Sequence, residues 1–336
     1  MSATQLTPLS STWRRVSVTT RRRVPPAMRR QAMFAFLCVV WGTTWLGMKV
    51  GIAVVPPGVF AGLRWSCAGL ALLAWRLSQG QRPRLPRRLI ARMVLVSLLL
   101  VSISQVIQLY GLRHITAGLA AVLSSALTPV ALLGFGAMLG QERFTWRQAA
   151  AVGLGVVGII VLFGPKAFTG DLQLAEVAGA VGVVTATLLY SFGSVLIRPM
   201  MRSVQASDMA WMTNLIGGGL LLVGALMFEP GALAAMRFDW GMPAWIAWLY
   251  LLIPGSLLST VMYFLLVRDW GASRVGTYAF ISPVIAVVVG AALFGEHVEI
   301  ADVVGMGLML AAAGIVLRRT PGPAVTQAVR QGAGRK

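Results

Sequence analysis

Ten apolar stretches dominate the chain and limit the folds available to it. A helix that crosses a bilayer needs about 20 mainly apolar residues, because every backbone amide in hydrocarbon must be bonded within its own segment. Only 12% of the residues are charged, against about 25% in soluble domains. Windows of this length predict membrane spans at 32–55, 58–78, 90–112, 117–139, 148–163, 174–197, 209–228, 243–267, 272–294 and 300–317. The sequence therefore predicts an all-α integral membrane protein with ten transmembrane helices.

An internal repeat divides these spans into two halves. Four pairs share one separation of 154 positions: Pro129 and Pro283, Gly136 and Gly290, Glu142 and Glu296, and Gly153 and Gly307. A constant offset indicates duplication. We expect repeats at 32–165 and 174–317, flanked by tails at 1–31 and 318–336. Five crossings per repeat would turn the second half upside down, as in the inverted repeats of alternating-access transporters.

The arginines follow the same alternation. The loops after spans 2, 4, 6 and 8, with their flanks, hold Arg76, Arg82, Arg84, Arg87, Arg88, Arg92, Arg143, Arg147, Arg198, Arg202, Arg268 and Arg274. The other loops hold only Arg113, Lys166 and Arg237. Because Lys and Arg favour cytoplasmic loops, we expect a multi-pass protein of the cell inner membrane with both termini in the cytoplasm.

Topology also explains most of the formal charge of +19. A basic balance alone is a weak sign of nucleic acid, and we expect no such partner. The Arg-rich stretch 1–31 has two interpretations. It is a disordered cytoplasmic tail that contacts anionic headgroups, or residues 1–27 come from a misplaced start, with Met28 or Met33 the real one. A cleavable signal peptide does not fit, because the following apolar run is too long.

Two cations lie inside predicted spans. Lys49 falls near the outer end of span 1, and Arg64 about two turns into span 2. Ionisable groups in a membrane mark functional sites by default, so both are candidates to bind an anionic group of a substrate. Alternatively, their long stems let them reach the outer headgroups. No acidic residue falls in mid-span, so a carboxylate proton relay is not expected, and a facilitator or exchanger fits better.

Polar and aromatic side chains recur on single faces of several spans, as expected along a solute path. Each could instead hydrogen-bond neighbouring helices together. With the two cations, the candidates for substrate binding are Trp41, Thr44, Trp45, Gln105, Gln108, Tyr190, Asn214, Tyr263, Tyr278 and Ser282.

Prolines inside spans are predicted hinges, because each frees a carbonyl and kinks its helix. They are Pro129, Pro254 and Pro283. The two cysteines, Cys38 and Cys67, are expected to pack as small apolar side chains. A metal shared by His114 and His297 is conceivable at the outer ends, but no ligand spacing supports one. We expect no metal and no cofactor.

These residues resemble the EamA-type members of the drug/metabolite transporter superfamily. The resemblance is carried by the run Trp41-Gly42-Thr43-Thr44-Trp45, by Lys49, Pro57 and Arg64, and by the repeated Pro129/Glu142 and Pro283/Glu296. It implies a ten-helix inner-membrane carrier with a central cavity that exports small metabolites such as amino acids or drug-like compounds. In the second half Tyr190 stands for Trp41, Arg198 for Lys49, and Asn214 is near the place of Arg64.

The expected function is therefore export of small amphipathic solutes, amino acids among them, by alternating access. Multidrug or cation efflux and facilitated uptake are alternatives on the same fold. A membrane-embedded enzyme would need an acid/base or nucleophile set within reach, which no span provides. A scaffold or sensor is weakened by the polar faces. The sequence leaves a homodimer open.

Overall fold

The computed structural model of the protein describes residues 25–81, 86–142, 145–167, 173–294 and 300–317. Every regular element in these ranges is helical. The long helices are α1 (Pro26–Ile52), α2 (Pro57–Ser78), α3 (Arg87–His114), α4 (Ala117–Met138), α5 (Trp146–Ala167), α6 (Leu174–Arg202), α7 (Ala206–Phe228), α8 (Met242–Trp270), α9 (Tyr278–Phe294) and α10 (Ile300–Leu317).

Seven of these helices, α1–α4 and α6–α8, are long and apolar enough to cross a membrane, and shorter apolar helices, Trp146–Val161 and Val303–Leu317, lie within α5 and α10. The chain is thus a helical multi-pass membrane protein, as predicted. A total of ten crossings in two repeats stays a prediction.

Local signals position the helix ends. Pro57 begins α2, where a proline loses no helical hydrogen bond. The Thr116 hydroxyl accepts from Leu119 N at 3.1 Å at the start of α4, and Gln173 and Glu176 form a capping box at the start of α6. These contacts satisfy amide groups that the first turn of a helix cannot.

The predicted span 272–294 is not one continuous helix. A short helix, Ala272–Val275, is separated from α9 at Gly276 and Thr277. The Thr277 hydroxyl donates to the carbonyl of Arg274 at 2.7 Å, which is the carbonyl that the next helical turn would have used. Within this predicted span, the continuous helix therefore begins only at Tyr278.

Helices α3 and α8 each contain a π-helical segment near their middle, at Leu98–Ser102 and Leu251–Leu258. The second includes Pro254. The Pro254 carbonyl accepts from the backbone amide of Ser259 and also from its hydroxyl, at 2.6 Å. Such segments are frequent at functional sites.

Helices α2 and α7 pack backbone to backbone. A Cβ added at Gly69 would lie 2.5 Å from Leu215 N, and one added at Gly218 would lie 2.5 Å from Ser66 N. Both ends of the pair are also tied. At the arginine end of the bundle, Arg76 binds the Asp208 carboxylate through two bonds of 2.9 Å. At the opposite end, the Glu229 carboxylate accepts from Gly58 N at 3.0 Å, at the start of α2.

Two apolar clusters fill the interior on either side of its middle. The first includes Phe34, Leu72, Met93 and Phe264, toward the arginine end. The second includes Phe60, Leu109, Leu221 and Trp248, toward the Glu229 end. Trp41 packs against the first cluster and Trp45 against the second. The polar faces of α1, α3 and α6 meet between them.

Candidate functional site

A cavity of about 150 Å³ lies between the two clusters. Helices from both halves of the chain form its wall: α1, α2, α3 and α4 from the first, and α6, α8 and α9 from the second. The lining residues are Trp41, Thr44, Trp45, Met48, Arg64, Trp65, Leu100, Gln105, Gln108, Ser124, Ser125, Thr128, Ala186, Thr187, Tyr190, Gly255, Tyr278, Ala279 and Ser282.

Nine of the twelve candidates for substrate binding lie in this wall. Helical periodicity therefore located one common surface on four different helices, and the buried cation Arg64 adds a fifth. That a solute binds these side chains stays a prediction. The nine are Trp41, Thr44, Trp45, Arg64, Gln105, Gln108, Tyr190, Tyr278 and Ser282.

Lys49, Asn214 and Tyr263 do not line the cavity. Lys49 Nζ donates to the carbonyls of Leu112 and Ile115 at 2.6 and 2.9 Å, at the end of α3. Asn214 is fully buried, and neither of its amide atoms has a partner among the described residues. Tyr263 lies behind the wall, with its ring 5.2 Å from that of Trp41.

The sequence analysis missed several wall residues, of which the hydroxyls of α4 are the most important. Ser124, Ser125 and Thr128 all line the cavity. Their spacing of three and four residues, directly before Pro129, is itself a one-face pattern. Their helix is otherwise strongly apolar, so these small hydroxyls were not recognised as a polar face. Trp65 was missed because it follows Arg64 and was not spaced with other polar residues.

Arg64 is the charged residue of the described wall, and its side chain is bound only by neutral groups. Its exposure is 4%. Nη2 donates to Gln105 Oε1 at 2.9 Å, the guanidinium lies 4.8 Å from the centre of the Trp65 ring, and Nε has no partner among the described residues. No carboxylate in the described ranges forms an ion pair with it. A buried cation without a counter-charge is costly, so an anionic ligand would be strongly favoured here.

A chain of amides extends from this cation along α3. Gln105 uses its oxygen for Arg64, so its Nε2 donates to Gln108 Oε1 at 3.0 Å. Gln108 then has its own amide nitrogen left to donate. The α2–α3 side of the cavity is therefore rich in hydrogen-bond donors.

Aromatic rings form a second part of the wall. The Trp41 and Tyr278 rings meet edge to face with 4.6 Å between centroids. Tyr190 is 6.1 Å from Tyr263, which supports both Trp41 and Tyr190 from behind. Such rings offer apolar area with little conformational freedom to lose.

The predicted hinges lie around this cavity. Pro129 is within α4 and directly follows the wall residue Thr128, while Pro283 is within α9 and follows Ser282. Pro254 precedes the wall residue Gly255. Whether they act as hinges stays a prediction.

The remaining predicted groups do not line the cavity or lie outside the described ranges. Cys38 is buried and Cys67 partly buried, and both are free thiols. His114 ends α3, whereas His297 and Glu296 fall outside the described residues. No cluster suited to a metal ion occurs in the part of the chain that the structure describes.

With the fold and cavity defined, comparison with known proteins gives the family. The model of the EamA-like transporter family matches residues 30–164 and again 177–318. The chain belongs to this family. Family membership indicates a transporter rather than an enzyme.

Relatives extend along most of the chain. The "Uncharacterized inner membrane transporter YedA" of Escherichia coli (strain K12) is 27% identical over 288 residues, which cover 85% of this chain and 89% of that protein. The "Uncharacterized transporter YvbV" of Bacillus subtilis (strain 168) is 27% identical over 290 residues, 85% and 90% respectively. A crystal structure that is 19% identical covers 90% of this chain and 99% of its own, with a TM-score of 0.70. That structure supports the fold alone.

Proposed function

We propose that this EamA family member is an inner-membrane transporter that exports small carboxylate-bearing metabolites, amino acids or related amphipathic solutes, by alternating access. The observation that carries the proposal is the cavity between the two halves, with buried Arg64 in its wall and no described carboxylate paired with it. A site with one cation and several aromatic rings in its described wall suits a small solute with an anionic and an apolar part.

The proposed architecture is ten crossings in two inverted repeats, with both termini in the cytoplasm. The two separate family matches support a duplication. The π-helical segments occur in α3 and α8, the third long helix of each half. Lys49 and Arg198, related residues of the two halves, lie at opposite ends of the bundle, where each helps to tie helices together. Opposite placement of related residues is what inversion requires.

Coupling to protons is not part of the proposal. The described carboxylates lie away from the cavity wall: Asp208 pairs with Arg76, Glu142 lies 3.7 Å from Arg198, and Glu229 caps α2. A relay of the usual carboxylate type would need an acidic side chain beside the solute. The proposed mechanism is therefore that of a facilitator or a solute exchanger.

Counterflow in proteoliposomes tests the function directly. Vesicles loaded with an unlabelled solute should accumulate the same solute in labelled form. The assay is run for a panel of amino acids and aromatic cations, each with and without a pH gradient. We expect amino acids to move at a rate that does not depend on the gradient. If no solute moves under any condition, the transporter proposal is wrong; strict dependence on the gradient would contradict the uncoupled mechanism. The direction of transport is tested in cells preloaded with labelled solute. Export predicts that cells expressing the protein lose the solute faster than cells that do not express it.

A further inference from the structure

The polar groups of the cavity are divided by hydrogen-bonding type. On the α2–α3 side, Arg64 and Gln108 present donors, as described above. The hydroxyls of α1, α4 and α9 behave differently. Thr44 donates to Trp41 O at 3.0 Å, Thr128 to Ser124 O at 2.7 Å, and Ser282 to Cys38 O at 2.9 Å.

A hydroxyl has one proton and two lone pairs. Once the proton is committed to a backbone carbonyl, the oxygen offers only acceptors to the cavity. Four wall hydroxyls from four helices are committed in this way, because Thr187 of α6 also donates to Val183 O at 2.8 Å. Ser282 is committed across a helix contact, from α9 to α1. This second side of the wall is therefore rich in acceptors, and the Trp41 and Tyr278 rings beside it also favour a cation.

Tight packing holds the acceptor side in place. A Cβ added at Gly42 would lie 2.7 Å from Ser282 O, so α1 and α9 approach backbone to backbone. This contact keeps the Ser282 hydroxyl within reach of the Cys38 carbonyl. Thr128 is 2% exposed and Ser282 6% exposed, so water screens neither oxygen effectively.

We infer that the cavity recognises a dipolar solute in one orientation, with a carboxylate against Arg64 and Gln108 and a primary ammonium against the oxygens of Thr44, Thr128 and Ser282. This inference rests on the proposed function and names the side chains that would select zwitterionic amino acids over organic anions or cations. A cavity of about 150 Å³ is about the size of one that holds benzene, which suits a small solute.

The test compares three charge forms of one carbon skeleton by counterflow. For valine the forms are valine, 3-methylbutanoate and isobutylamine, and the threonine and phenylalanine skeletons are treated in the same way. We expect the zwitterion to be transported at least tenfold better than its desamino acid and its amine for at least one skeleton, because a hydrogen bond to a charged group is worth about tenfold or more.

The Ser282→Ala variant assigns the ammonium side. It should reduce the preference for the zwitterion over the desamino acid by about tenfold, while any general packing defect slows both solutes equally and leaves their ratio unchanged. Thr128→Val should act in the same direction. Ser97→Ala is the matched control, because Ser97 is buried in α3, donates to Met93 O, and is not in the wall.

Each outcome either supports or overturns the inference. A tenfold preference that Ser282→Ala reduces supports the inference. Equal or better transport of the desamino acid or the amine for every skeleton would overturn the inference and leave the transporter proposal standing, as would a Ser282→Ala variant with an unchanged preference. Failure of all three forms of all three skeletons, with no other solute moved in the wider panel, would mean that the proposed function itself is wrong.

Discussion

At the scale of single residues, the buried charges among the described residues divide into tied groups and one that is nearly free. Arg76 and Asp208 neutralise each other, Lys49 donates to carbonyls at the end of α3, and Glu229 accepts from the amides of α2. Arg64 has only an amide oxygen and a ring face among the described residues. The tied charges hold helices together, while Arg64 is available to a solute.

The Arg76–Asp208 pair gives a stability prediction. Both side chains are less than a tenth exposed, so Asp208→Asn leaves a buried cation uncompensated and should cost about 3–5 kcal/mol. Thermal unfolding in detergent should show a clear fall in Tm. Asp269→Asn is the control, because Asp269 pairs with two half-exposed arginines and such pairs contribute about 0–1 kcal/mol. Equal effects of the two substitutions would contradict this assignment.

Sequence periodicity predicted eight of the nineteen wall residues, but not which groups those side chains contact. Trp41, Thr44 and Trp45 share a face of α1, and that face does line the cavity. Lys49 is on a nearby face, yet it reaches the carbonyls of another helix. A helical pattern says which side of a helix a residue occupies, whereas the partner across the contact depends on how helices pack.

At the scale of helices, the α2–α7 contact depends on glycines. Gly218→Ala would place a Cβ 2.5 Å from Ser66 N and 2.8 Å from Trp65 C. Because these are backbone atoms, the helices must separate, and we expect a loss of about 1–3 kcal/mol with a lower Tm in detergent. Gly219→Ala is a neighbouring control, since no described atom lies within 4 Å of the added carbon. A Gly218→Ala protein as stable as Gly219→Ala would show that the two helices are not in close contact.

The matched prolines of α4 and α9 give a kinetic prediction. Pro129→Ala with Pro283→Ala restores two backbone donors and should straighten both helices. If the kinks are hinges, turnover should fall several-fold while expression and KM change little, as measured by initial rates in proteoliposomes. Pro243→Ala, in the first turn of α8, should leave turnover unchanged. An unaltered turnover in the double variant would count against the hinge role.

Helix positions followed closely from hydropathy, but irregular turns did not. The sequence predicted α6 from residue 174 and α10 from residue 300, where the structure also begins them. It did not predict the break at Gly276 and Thr277 or the π-helical segments. These depend on which carbonyl a hydroxyl or a neighbouring helix satisfies, and composition averaged over 20 residues contains no such information.

At the scale of the whole molecule, the two halves enclose one cavity but contribute different chemistry. The first half supplies Arg64 and the amides of α3, and the second supplies Tyr190, Tyr278 and Ser282. Asn214, near the place of Arg64 in the second half, is buried away from the wall. The proposed duplication would therefore account for the proposed movement between two faces, and the difference between the two halves for the proposed selectivity.

The most direct test of this account is the transport of amino acids by Arg64→Gln in proteoliposomes, beside an Arg113→Gln control. Arg113 is an exposed cation at the end of α3, outside the cavity wall. We predict at least a tenfold loss of counterflow for Arg64→Gln, because a charge-assisted bond to the carboxylate is removed, with wild-type rates for Arg113→Gln. A folded Arg64→Gln protein that transports amino acids at the wild-type rate would contradict the central claim.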